Sequence, residues 1–292
     1  MQLSLLDRLA EPGSGLPPPG AGGASSWAAQ AERSVRRIEL GAGAWLELGR
    51  GWVPRQAELF RLLEQGADWE VHERQMYERV VAVPRLVASC PGTSIRRPWQ
   101  GESVVRTLPR RAPPVEVTRG AALLRQYQAS LSRRYGRSLS SISLAYYRDG
   151  RDSVAFHGDK LGALRQDTVV AILSLGAPRH FVLRRAAGYG GALPRELVES
   201  GIGTVRARAA RKGAEAERAS FVLSVGEGDL LVMGGNCQET WEHGIPKEAQ
   251  AGPRIAVMFR EAWGEAEGAI RNVRGPSVRA DGDQERRRAL GG

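Results

Sequence analysis

From residue 141 onward, apolar and polar positions alternate in short runs broken by Gly, Pro, Asp and Asn. A period of two predicts strands. The runs fall at 141–147, 153–157, 167–175, 180–185, 220–225, 229–233, 241–244 and 254–260. No long helical stretch separates them, so they predict antiparallel sheets closed as a jelly roll or barrel. Upstream the periodicity is mixed. Residues 36–53 predict two short strands, 57–63 a short amphipathic helix, and 70–86 strand-like alternation ending at Pro84. Residues 91–115 predict a loop. The best helix is 120–135, with Leu123, Leu124, Tyr127, Leu131 and Tyr135 at helical spacing.

Three segments fall outside this pattern. Residues 11–26 are rich in Pro, Gly and Ser and predict a flexible leader within 1–35. Residues 186–219 are rich in Gly, Ala and Arg and predict a partly disordered loop insertion. Residues 264–292 are charged and poor in aromatics, and predict a disordered tail. One catalytic domain over 36–263 is the organisation these boundaries imply. The 292 residues are 42% apolar, enough for a sizeable core. No run of 18 apolar residues exists, which argues against a membrane span. Residues 1–8 lack the basic start and long apolar core of a secretory signal. Cys90 and Cys237 form neither CxxC nor a zinc pattern, so reduced thiols in the cytoplasm are expected.

The formal charge is +10, carried by 39 Arg and only 3 Lys. An Arg excess in an Ala/Gly-rich chain also follows from GC-rich coding, so its distribution says more than its total. Residues 96–137 hold ten arginines against Glu102 and Glu116. Such a concentration predicts phosphate contacts, with an ordinary solvated face as the plainer reading.

Candidate chemistry concentrates at His157-Gly158-Asp159. A histidine and a carboxylate two residues apart on a strand share a face. Two His and one carboxylate make the facial triad of non-haem Fe(II) oxygenases, which leaves positions open for oxygen. The chain has four histidines, His72, His157, His180 and His243. His243 supplies the third ligand. His180 lies in a predicted hairpin turn, and His72 lacks a partner at ligand spacing. Eleven residues after His243, the strand 254–260 puts Arg254 and Arg260 on one face, their Cα atoms roughly 20 Å apart at 3.3 Å per residue. Arginine forks bind carboxylates bidentately, so the pair suits the two ends of a small dicarboxylate. A metal triad followed by a paired-arginine strand suggests an Fe(II) enzyme using 2-oxoglutarate. Each residue taken singly is more often structural; their order and spacing carry the reading.

Here the chain resembles the AlkB-like 2-oxoglutarate-dependent dioxygenases. The matching stretches are 147–159, 171–184, 228–247 and 253–260, with Pro84-Arg85-Leu86 upstream, and the resemblance spans roughly 36–262. It implies oxidative demethylation of alkylated bases in DNA or RNA, with Fe(2+), 2-oxoglutarate and O2 as cofactors. The implied fold class is mainly β (α+β), a double-stranded β-helix (jelly roll) core with supporting N-terminal helices. In the family the His-x-Asp and the distal His hold iron. The first arginine, here Arg254, pairs with the far carboxylate of 2-oxoglutarate, and the second, Arg260, with the end near the metal. A tyrosine at the position of Tyr147 helps hold the cosubstrate.

The departures are specific. Family members usually carry Asn two residues before that tyrosine and often two after the first arginine; here stand Ala145 and Ala256. Lys160 and Leu161 follow the His-x-Asp where acidic residues are common, and Cys90-Pro91-Gly92 replaces a Tyr-Gly. Tyr77, Trp99 and Trp69 are candidates for stacking on an extruded base, with Arg85, Arg96 and Arg97 as further substrate contacts. The partner expected is nucleic acid bearing alkylated bases, met by a monomer. The alternatives are the same iron chemistry on a protein or small molecule, and a catalytically weakened nucleic-acid-binding relic, motivated by Ala145 and Ala256.

Overall fold

The computed structural model describes residues 35–76, 78–90, 102–159, 166–206 and 219–261. Fifteen strands and four helices lie within them, and every strand pairing is antiparallel. In chain order the elements are β1 (Val35–Gly41), β2 (Ala44–Gly49), α1 (Gln56–Gly66), β3 (Glu70–Met76), β4 (Arg79–Ala82), β5 (Leu86–Ser89) and β6 (Glu102–Thr107). Then come α2 (Pro114–Tyr135), β7 (Ser141–Tyr147), β8 (Val154–His157), β9 (Thr168–Gly176), β10 (Arg179–Arg185), α3 (Arg195–Glu199), β11 (Thr204–Arg206) and β12 (Ser220–Val225). The last are β13 (Asp229–Gly235), α4 (Cys237–Thr240), β14 (Trp241–Ile245) and β15 (Arg254–Arg260).

The large sheet runs β1-β2-β13-β9-β15-β7-β5-β3-β4, with β6 added on β3; the small sheet runs β11-β12-β10-β14-β8. The two sheets face each other as the walls of a jelly roll. Alternation along the central strands assigns the faces. On β7, Ile142, Leu144 and Tyr146 point outward, and on β15 so do Ile255, Val257 and Phe259. These pack with Leu59 and Leu63 of α1 and Leu124, Tyr127 and Leu131 of α2. The opposite face, with Ala145, Tyr147, Ile172 and Ala256, packs against Phe181, Leu183, Phe221, Leu223 and Trp241 of the small sheet. Because the large sheet is covered on both faces, its middle strands are almost wholly apolar. β9 is buried at eight of its nine positions. Polar residues on the inner face therefore stand out as chemistry rather than solvation.

Helix α2 starts six residues before the predicted 120. Pro114 occupies its first turn, where a missing N–H costs nothing, and Gly136 ends it in the left-handed region at φ 62°. The prolines that suggest a loop thus open the helix. β6 emerges inside the predicted loop 91–115. It is a short edge strand that pairs with β3 among the described residues, which local periodicity does not reveal. Within 186–219, α3 and β11 are formed. Residues 207–218, the leader 1–34 and the tail 262–292 lie outside the described residues.

Candidate active site

β8 is the edge strand of the small sheet, and β14 is its neighbour. His157 stands directly opposite His243 in the register, with ring centroids 4.4 Å apart. The next pair is Ile245 with Val154, two steps along β14 against three along β8. That extra residue is a β-bulge, a device that re-aims side chains. It lets Val154 and His157 both line the cavity, while Ala155 and Phe156 between them turn outward.

The chain then passes through Gly158 to Asp159. A Cβ on Gly158 would lie 2.4 Å from the carbonyl oxygen of Gln238, so only glycine fits beneath α4. The Gln238 side chain accepts the Asp159 backbone N–H at 2.7 Å and donates to the Met233 sulfur at 3.8 Å. Gln238 is a residue the sequence reading missed, and so is the requirement at Gly158. One ligand atom from each of His157, Asp159 and His243 falls within 4.8 Å of the others.

The electrostatics favour ligand forms. Burial and the neighbouring His157 push His243 down to about 3. Burial also lowers His157, although Asp159 opposes the shift. Both imidazoles are therefore neutral near pH 7, as metal ligands must be. The Nδ1 of His157 lies 2.8 Å from the Ala155 carbonyl. Donating there fixes the tautomer and places the lone pair on Nε2. Phe181 stacks on His243, with centroids 5.3 Å apart and planes at 10°.

Arg254 and Arg260 share the inner face of β15, as the alternation predicts. Arg254 is 1% exposed. Its Nη2 donates to Ser174 Oγ at 2.7 Å, and its Nε has no partner. Among the described residues it forms no ion pair, and burial draws its pKa down to about 10. Arg260 donates to Asp159 Oδ1 at 3.2 Å and to Ser143 Oγ at 3.1 Å, and its Nε is also unpartnered. A buried guanidinium without a directly paired anion is costly, and this end of the cavity has the charge and N–H groups that suit a carboxylate. Two guanidiniums lie over the Tyr147 ring, Arg254 at 5.4 Å and Arg179 at 5.7 Å from its centroid. Arg179, also missed from sequence, is fully buried. It donates to the carbonyls of Asp149, Asp152 and Pro246 and pairs with Glu248, pinning the β7–β8 turn under the tyrosine.

Ala145 and Ala256 are direct cross-strand partners, and both line the cavity. The two departures from the family pattern are thus one feature, a methyl floor completed by Ile172 and Met258. Arg85 and Val87 line the same cavity from β5 and its approach, so Arg85 joins the site.

Other expectations are corrected. Trp69 is a core residue on the helix side of the large sheet, packed on Tyr146, with its indole N–H donating to the Glu64 carbonyl. It cannot stack on a base in the inner cavity. Of the basic wall expected over 96–137, no arginine among the described residues lines the cavity beside His157, Asp159 and His243. α2 packs on the outer face, away from the cavity, and Arg110, Arg111, Arg119, Arg134 and Arg137 pair with Asp68, Glu64, Glu58, Glu47 and Asp167. Local counting missed these acids because they come from other segments. Tyr77, Trp99, Arg96, Arg97, Lys160 and Leu161 lie outside the described residues. His72 is buried on Glu70, and His180 is exposed beside Glu248; neither reaches the cavity.

A family model for the 2OG-Fe(II) oxygenase superfamily matches residues 52–268. The chain is similar to alpha-ketoglutarate-dependent dioxygenase alkB homolog 3 of Mus musculus, 33% identical over 135 residues, 46% of this chain and 40% of that protein. It is 30% identical to the Homo sapiens protein of the same name over 148 residues, 50% of this chain and 45% of that one. DNA oxidative demethylase ALKBH2 of Arabidopsis thaliana is 31% identical over 126 residues, 43% of this chain and 38% of that protein. The similarity thus spans less than half the length of each of these relatives.

Proposed function

This chain belongs to the 2OG-Fe(II) oxygenase superfamily, and within it we propose that the protein oxidatively demethylates N-alkylated bases in nucleic acid. It is a 2-oxoglutarate-dependent dioxygenase, working with Fe(II), 2-oxoglutarate and O2. The observation that carries the site is one cavity joining two neutral imidazoles, a carboxylate and a buried guanidinium that lacks an anion. The names of the similar proteins, dioxygenases of the alkB type and a DNA oxidative demethylase, support the substrate class. Arg110, Arg111, Arg119, Arg134 and Arg137 lend it no support, since each is paired with an acid from another segment.

In this reading His157, Asp159 and His243 hold the metal, and Arg254 with Tyr147 takes the far carboxylate of 2-oxoglutarate. Arg260 meets the near end while steadying Asp159. When bound, iron and 2-oxoglutarate supply the oxidising chemistry, and the protein contributes position and exclusion of water. The apolar floor of Ala145, Ala256, Ile172 and Met258 keeps water from the middle of the cosubstrate. Arg85, at the wall beside His157, faces the substrate side. The reaction consumes 2-oxoglutarate, O2 and an N-methyl base, and yields succinate, CO2, formaldehyde and the unmethylated base. The test is succinate and formaldehyde formation with and without methylated oligonucleotides. Succinate without oligonucleotide-dependent formaldehyde would leave the dioxygenase and remove the substrate class.

A further inference from the structure

Each of the two arginines is held by a serine on a neighbouring strand. Ser174 of β9 takes the Arg254 N–H at 2.7 Å, and Ser143 of β7 takes that of Arg260 at 3.1 Å. Both serines are buried on the inner face. The register explains the geometry. Ser174 stands opposite Ala256, two residues beyond Arg254, and Ser143 stands opposite Met258, two residues before Arg260. Each hydroxyl is thus the same-face diagonal neighbour of its arginine.

The choice of serine has a chemical consequence. A hydroxyl fixes one corner of the planar fork and leaves the charge and the remaining N–H groups for a ligand. A carboxylate there would occupy the fork and cancel its charge. Arg260 already shares its charge with Asp159. Arg254 makes no ion pair with a carboxylate of the described residues, Asp229 and Glu248 acting on it only at longer range, so the positive end of the cavity without a direct counter-ion is the one Ser174 controls. The span between the two ends is methyl and thioether, with nothing to read a polar group in the middle of a ligand.

We propose that Ser174 is a positioning residue that sets selectivity for 2-oxo acids bearing a second carboxylate, by holding Arg254 in the orientation that meets it. The proposal rests on the reading of this cavity as the cosubstrate pocket. Ser174→Ala releases one corner of the guanidinium. Its dissociation constant for 2-oxoglutarate should rise about 5- to 10-fold, the loss of roughly one hydrogen bond. Binding of 2-oxopentanoate, which has the same chain length without the second carboxylate, should not change. Ser174→Thr keeps the hydroxyl and should bind both acids as the parent does.

The experiment is calorimetric titration of the full chain loaded with Zn(II), which allows binding without turnover, using both acids. It runs beside succinate formation by the Fe(II) protein, with thermal melts as a fold control. In Ser174→Ala, the KM for 2-oxoglutarate should rise with the dissociation constant while kcat stays within about twofold. Unchanged 2-oxoglutarate affinity in that variant overturns the proposal, as does equal weakening of both acids or failure of Ser174→Thr to restore. A parent protein with no preference for 2-oxoglutarate over 2-oxopentanoate overturns the pocket reading itself, and the Ser174 role with it.

Discussion

Replacing Arg254 with methionine should move stability and cosubstrate binding in opposite directions. Methionine keeps the unbranched reach of the side chain and removes its charge. Arg254 is 1% exposed, and its guanidinium has one hydrogen bond to Ser174 and no partner for Nε among the described residues. Burial lowers its pKa from 12.5 to about 10. At 1.36 kcal/mol per unit, the cavity disfavours the charged form by roughly 3 kcal/mol. Methionine removes that cost and gives up one hydrogen bond of about 1 kcal/mol. The expected net gain is about 1–2 kcal/mol. For a domain of this size that raises Tm by about 2–8 °C. The same change removes a charge-assisted pair to 2-oxoglutarate worth about 1.5–3 kcal/mol, so affinity should fall roughly 10- to 150-fold. Scanning calorimetry of parent and variant, with and without millimolar 2-oxoglutarate, reads both effects. The parent should melt lower alone and gain from the ligand; the variant should melt higher alone and gain little. A variant that melts lower alone yet keeps the full ligand-induced gain would refute the view of Arg254 as an anion-seeking buried charge.

Three further outcomes follow from the same geometry. Gly158→Ala drives a methyl against the Gln238 carbonyl, and Gln238→Leu removes the acceptor for the Asp159 N–H; each should weaken metal binding about 10- to 100-fold, as losses around a ligand shell do, and a metal titration showing parental affinity in both would dismiss the α4 support. The folded pKa of His243, about 3, lies below its ordinary 6.5, so below pH 6.5 the unfolded chain binds a proton that the folded chain refuses, and chelator-treated protein should lose stability as pH falls from about 6.5 toward 3; His243→Leu should flatten that acid slope in thermal melts, and an unaltered slope would mean that the imidazole is not buried neutral. Arg110→Ser with Arg111→Ser breaks surface pairs to Asp68 and Glu64, which should cost about 0–1 kcal/mol and leave the salt dependence of oligonucleotide binding unchanged; a flatter slope would return these residues to the nucleic-acid interface.

The inner wall of the roll was legible because its chemistry is local. β7, β12 and β15 have the spans that alternation predicts. The pairing of His157 with Asp159 and of Arg254 with Arg260 follows from a period of two. What stayed hidden depends on contacts between distant segments. Ser174 and Ser143 look like ordinary strand residues until the register sets them diagonal to the arginines. Gln238 sits in a one-turn helix, and its contact with Asp159 spans 79 positions. Trp69 misled because an aromatic before a strand reads the same whether it faces a ligand or a helix. Arg110, Arg111, Arg119, Arg134 and Arg137 misled because charge was counted along the chain, while their acidic partners come from β2, α1 and the turns.

The bulge in β8 also bears on how the molecule avoids its own copies. β8 closes the small sheet, so among the described residues one side of its backbone has no strand beside it. A flat strand in that position is a template onto which another chain can add. The extra residue at Ala155 and Phe156 breaks the even spacing of amide and carbonyl groups that such an addition requires. Deleting one of these two residues would leave two steps on each strand between the paired positions, keep Val154 and His157 on one face, and offer a smooth edge to neighbouring molecules. A tendency to aggregate should therefore appear from one deletion, while His157 stays opposite His243.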